Sequence, residues 1–146
     1  MRQAGRRARH RGGTLKVELR HASLPSLVGL FASHYWFVVF DGGEAQRWEV
    51  WQTRDAGGRS IGHVHCNLKA PDAGVGGGPM HVDGAWNGEE AERIKAVLEA
   101  AERYPHCFRY HYWPGPNSNT FAAWVLREAG IRHPLARRAI GRNYPC

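Results

Sequence analysis

From Leu15 to Ala22 apolar side chains (Leu15, Val17, Leu19) alternate with polar ones (Lys16, Glu18, Arg20), a period of two that predicts a β-strand with one buried face. After a loop near Ser23–Ser26, the run His34–Phe40 is apolar, aromatic and β-branched almost throughout, which predicts a strand buried on both faces and headed by one histidine. Asp41-Gly42-Gly43 marks a turn, and Arg47–Gln52 reads as the returning strand of a hairpin. A second turn at Asp55–Gly58 leads to a short strand, Gly62–Leu68. The glycine-rich stretch Gly74–Pro79 lacks the Gly-Lys-Ser/Thr ending of a phosphate-binding loop, so it reads as a connection or a close approach of two backbones.

The period then changes. Asn87 with Glu90 three residues on is a capping-box pattern, and it opens a predicted helix to about Arg103 whose apolar stripe is Ile94, Val97, Leu98 and Ala101. Phe108–Trp113 is an aromatic extended segment. A second helix begins at Ser118, where Asn117, Ser118 or Asn119 supplies the cap, and ends at Gly130, where a helix C-terminus favours a residue with positive φ. The elements predict an α+β fold, a small antiparallel sheet packed against two or three helices.

Composition adds to this picture in three ways. With 146 residues, 42% hydrophobic content and six tryptophans the chain can bury one core, assigned to residues 14–146. Cys66, Cys107 and Cys146 are odd in number and lack C-x-x-C spacing, which argues against a disulfide framework or structural zinc and fits a reducing compartment. Much of the net charge of +7 lies in residues 1–13, read as a disordered basic tail able to make weak contact with an anionic surface. Residues 14–146 offer no zinc finger, RNP-type motif or helix-turn-helix, so no specific nucleic-acid partner is expected. The alternation after the tail is not the apolar core of a secretion signal, and Leu24–Phe40 is too broken by polar residues, proline and glycine for a membrane span. A soluble cytoplasmic protein is expected. Its oligomeric state is left open.

In Gly62–Leu68, His63 and His65 share one strand face while Val64, Cys66 and Leu68 share the other. Such a pair suits a half-exposed face, the orientation of a catalytic imidazole, or a metal. No further ligands follow at tell-tale spacing, although folding could bring His81 and His111 near, and neither metal nor cofactor is expected. Trp36, Trp48, Trp51, Tyr110 and Trp113 read as core or as the lining of an apolar cleft, and Arg109 as a solvated side chain or a binder of an anionic group.

A histidine opening a core strand, followed much later by the run Trp113-Pro114-Gly115-Pro116-Asn117-Ser118-Asn119-Thr120-Phe121 at a helix start, resembles the circularly permuted branch of the papain-like superfamily, which includes the NlpC-type peptidases and the lecithin retinol acyltransferase-like enzymes. The wording of that run, with Tyr104-Pro105 and Ala139–Pro145, more closely resembles an uncharacterised bacterial family, domain of unknown function 3750, from about Leu15 to Pro145. The papain-like resemblance implies a permuted papain-like fold. It also implies His34 as catalytic histidine and Ser118 at the nucleophile position, where the superfamily has cysteine.

On that resemblance Ser118 would attack an amide or ester with His34 as base, helix N–H groups would receive the oxyanion, and His63 or His65 would hold the imidazole. Asn117, Asn119, Trp113 and Arg109 would contact a small-molecule, peptide or lipid-like substrate. A serine at a cysteine position depends on concerted base catalysis, because an alcohol does not ionise near neutral pH as a thiol does. The alternative is an inactive domain that keeps the groove and binds a peptide, glycan or lipid headgroup.

Overall fold

Strand β1 (Lys16–Ser23) pairs along its whole length with β2 (Ser33–Asp41), and Gly42-Gly43 turns the chain into β3 (Glu44–Val50). The computed structural model describes residues 13–146, so the basic tail expected over residues 1–13 falls almost wholly outside the described residues. Two short strands, β4 (Arg59–Ile61) and β5 (Val64–Cys66), extend the sheet beyond β3, and β6 (His81–Asn87) closes the far side against β1. The antiparallel order is β4-β5-β3-β2-β1-β6. With helices α1 (Gly88–Glu99) and α2 (Ser118–Glu128) it makes a small α+β fold. Neither helix is long and apolar enough to cross a membrane.

Alternation assigns the two faces. Val17, Leu19, Tyr35, Phe37, Val39, Trp48 and Val50 join Ile94, Leu98, Phe121 and Val125 in the main core beneath the helices. On the opposite face Trp36 and Val38 are fully buried as well, which accounts for the nearly continuous apolar run of β2. What covers them is the chain between Asn67 and Met80. Arg47 Nη1 donates to the carbonyls of Ala70 (2.8 Å) and Ala73 (2.6 Å), Trp36 Nε1 to Pro71 O (3.2 Å), and Arg20 Nη1 to Pro71 O (3.1 Å) and the Asp72 carboxylate (2.6 Å). We call this segment the strap.

The glycine-rich part of the strap is a close approach. A Cβ at Gly77 would run into the backbone carbonyl oxygens of Ser23 and Leu24. Gly77→Ala is therefore expected to push the strap off the end of β1 and cost about 1–3 kcal/mol, the range for overpacking against groups that cannot yield. An unchanged thermal midpoint would show that the strap gives way freely.

Two sequence expectations are corrected. Strands β4 and β6 were not expected; β6 is short of apolar residues and carries Gly84, and it is held as a strand by its pairing with β1 across a register shift between Leu19 and Arg20. Asn87 occupies the cap position of α1 but makes no side-chain capping bond; it is also the last residue of β6, paired with Lys16. At the other end, α2 stops as expected: Gly130 has φ 69°, its N–H bonds Arg127 O, and Ile131 N–H bonds Leu126 O, the paired closure of a Schellman motif.

Candidate functional site

The site is built where two strands part. Strand β2 stays paired with β1 down to Ser33, but its ladder with β3 ends at Phe37 and Trp48, after which β3 continues to Val50 along β5. The freed groups of β2 need partners. Asn119 provides them: its Oδ1 accepts from Tyr35 N–H (3.1 Å), and its Nδ2 donates to Ser33 O (2.8 Å) and Ile140 O (2.9 Å). One side chain of α2 thus stands in for the missing length of β3 and fixes the helix start in the gap.

Asn117 caps that helix. Its Oδ1 accepts from the N–H groups of Asn119 (3.0 Å) and Thr120 (3.3 Å), Thr120 Oγ1 accepts from Asn117 N–H (3.0 Å), and Asn117 Nδ2 donates to Tyr112 O (2.9 Å). Phe121 N–H is taken by Asn117 O. The expectation of several free N–H groups at this terminus is therefore corrected: among the described residues, only the N–H of Ser118 lacks a partner in the first turn.

A cavity of about 440 Å³ opens here, of the size that takes a small ligand or part of a larger one. His34, Asn117, Ser118 and Asn119 supply part of its polar lining, with Ser26, Ser33 and Gln52, and Leu24, Val28, Val50, Trp51, Tyr110 and Ile140 much of its apolar wall. His34 and Ser118, far apart in sequence, share this cavity. They are not hydrogen-bonded to each other; Ser118 Oγ makes a long bond of 3.5 Å to Asn119 Oδ1.

Behind His34 lies a buried chain of charged side chains. Its Nε2 is 2.7 Å from Glu49 Oε2, and the same oxygen accepts from Arg47 Nη2 at 2.8 Å. Glu49 and Arg47 are 0% exposed. Burial on its own would raise the Glu49 pKa, but the hydrogen bonds and charges of His34 and Arg47 overturn that and hold it below the usual carboxylate range. Arg47 is fixed in turn by its two carbonyls in the strap and by the Trp36 ring, 4.1 Å beneath its guanidinium carbon. A carboxylate on Nε2 makes that nitrogen the protonated one and leaves Nδ1 as the basic nitrogen.

The partner of His34 is thus Glu49 and not, as expected, His63 or His65. His63 Nδ1 bonds Trp51 O (2.9 Å) and its ring lies 5.6 Å from that of Tyr110. His65 is fully buried between Ser60 Oγ (2.7 Å) and Thr53 O (2.9 Å). Among the described residues no group of three or more His, Cys, Asp or Glu side chains is arranged to hold a metal. Asn117 and Asn119 line the cavity, but their amides are occupied by the bonds above. Trp113, 73% exposed, and Arg109, also exposed, lie outside the cavity lining. Burial pushes the thiols of Cys66 and Cys107 up, and neither lines the cavity, so neither offers a thiolate there.

A family model described as a protein of unknown function, DUF3750, matches residues 14–144. No curated protein and no solved structure matches the chain significantly.

Proposed function

The chain belongs to the DUF3750 family, and we propose that it is a hydrolase or acyltransferase acting on an amide or ester through Ser118. The observation that carries this reading is the oriented imidazole: His34, bonded through Nε2 to a buried carboxylate, presents its other nitrogen on a side chain that lines the same cavity as Ser118. His34 Nδ1 would take the Ser118 hydroxyl proton as Oγ bonds the acyl carbon, and the carbonyl π electrons move onto oxygen. The free Ser118 N–H would donate to that oxyanion. Collapse of the intermediate breaks the bond to the leaving amine or alcohol, which takes the proton from the imidazolium. Water or an acceptor alcohol or amine then repeats the cycle on the acyl-enzyme. Glu49 positions His34 and stabilises the imidazolium, and Arg47 keeps Glu49 ionised. This order of roles is the one implied by the papain-like resemblance, with Glu49 as the third member.

A second reading is favoured by one observation. Ser118 Oγ points its bond at Asn119 and not at His34, as in a domain that binds a peptide, glycan or lipid headgroup without turning it over. A fluorophosphonate probe separates the two. Labelling that maps to Ser118 and is lost in His34→Ala supports catalysis. No labelling, or labelling indifferent to His34, removes the nucleophile and leaves the binding reading, in which Ser118→Ala keeps ligand affinity.

A further inference from the structure

We propose that the loop bordering the cavity is a docking surface for a bilayer bearing anionic phospholipid. The loop is the single 3₁₀ turn Ser26–Leu30 with Phe31 after it. Leu27 is 77% exposed, Leu30 65% and Phe31 71%, and Val28 divides its surface between solvent and the cavity wall. Neighbouring apolar side chains held in water are unfavourable, and a monomeric protein rarely keeps such a cluster without a partner for it.

The exposure is a property of a fixed loop. Phe31 and Ala32 N–H both bond Val28 O at 3.0 Å, and Leu24 N–H bonds Ala32 O at 3.2 Å. Arg138 reaches in from the C-terminal segment, its Nη2 donating to Gly29 O and to Ser23 Oγ (3.1 Å), while its carbonyl accepts from Ser33 N–H (2.8 Å). Gly29 itself seats against Leu24 O with no room for a Cβ.

Charge identifies the occupant. Residues 19–40, which carry the loop, contain no aspartate or glutamate, and from Tyr104 to the chain end the sole acidic side chain is Glu128. Glu128 ends α2, at the pole opposite its start beside the cavity. The same stretch carries Arg109, Arg132, Arg137, Arg138 and Arg142. Arg138 touches the loop directly, with exposed Arg137 next to it. Three large apolar side chains with arginine at their base, and no acidic residue within residues 19–40 or on the C-terminal segment after Glu128 that buttresses the loop, complement an interface of acyl chains under anionic headgroups, where apolar insertion and electrostatic attraction add. Because Val28 and Ser26 also line the cavity, a docked loop would place its mouth at the headgroup level. Docking is independent of whether Ser118 is a nucleophile.

The test is flotation of the full chain with vesicles of phosphatidylcholine alone or mixed equally with phosphatidylglycerol, comparing wild type, Leu27→Glu/Phe31→Glu, Ser118→Ala and a chain lacking residues 1–12. Both glutamates replace exposed side chains, and an unchanged thermal midpoint verifies the fold. Expected are binding to the mixed vesicles, a loss of roughly tenfold or more in the double variant, no change in Ser118→Ala, and a loop-dependent portion that survives removal of the tail. The proposal is overturned if wild type does not float, if the double variant floats like wild type, or if the substitutions abolish self-association and leave vesicle binding intact, which would make a second copy of the chain the occupant.

Discussion

Glu49→Gln is expected to lower the free energy of unfolding by about 3–5 kcal/mol, the range seen when one member of a buried ion pair is removed. Glutamine keeps the volume and an oxygen where Oε2 accepts from both His34 and Arg47, so the change isolates charge from shape. It strands the Arg47 guanidinium, which is wholly buried and has no other anion within bonding distance among the described residues. The pH profile gives the check. A carboxyl whose folded pKa is depressed contributes stability that is complete above its unfolded value, about 4.3, and that is lost as pH falls through the lower folded value. Unfolding midpoints of wild type and variant should therefore stand well apart near neutrality and converge as the solution is made more acid than about pH 4. A gap that stays constant with pH would mean that the loss is steric. The same substitution should slow fluorophosphonate labelling of Ser118 by orders of magnitude if His34 is the base, because it weakens the hold on the tautomer and the stabilisation of the imidazolium.

The second large effect belongs to Asn119. Asn119→Ala should cost about 3–5 kcal/mol, because three backbone groups, Tyr35 N–H and the carbonyls of Ser33 and Ile140, lose their partner in a largely buried place. Asn119→Asp is the sharper comparison. It keeps an acceptor for Tyr35 N–H but turns a carboxylate toward two carbonyl oxygens, so its folded pKa should rise and its stability should improve as pH falls, opposite in sense to Glu49. Denaturant unfolding of the three proteins at two pH values tests both statements. A loss below about 1 kcal/mol in Asn119→Ala would show that β2 and β3 re-pair across the gap once the amide is gone.

How much of this was legible in the sequence differs from residue to residue. The strands around His34 and the helix from Ser118 to Gly130 could be read because their apolar periods and their caps are local signals. Glu49 could not. In Arg47-Trp48-Glu49-Val50 the charges alternate with apolar residues, which is how a strand facing water is written. What turns that face inward is the strap, a stretch of glycine, proline and small residues whose position depends on contacts with β1 and β2 remote in sequence. One trace was available: Glu18 and Arg20 on β1 repeat the opposite-charge pair of Arg47 and Glu49, and Arg20 bonds Glu18 at 2.8 Å on the same face. Charges that can neutralise one another two residues apart, on the two strands that flank β2, are a signal that the face will be covered. His63 and His65 drew attention because they are paired, and folding gave His63 Nδ1 and His65 Nε2 to carbonyl groups and His65 Nδ1 to Ser60.

The insertion of Asn119 between two strands also sets the tolerance of this segment to changes in length. A helix advances about 100° per residue, and the side chain that locks α2 to the sheet is immediately next to Ser118. Substitutions farther along α2 can be absorbed by small shifts of a packed helix. One residue gained between Asn117 and Asn119 cannot, since the cap, the lock and the hydroxyl would then face three different directions, and the one residue that can be lost there is Ser118 itself. Gene variants carrying such an insertion or deletion would keep the apolar pattern of the helix and most of the core, and lose the site.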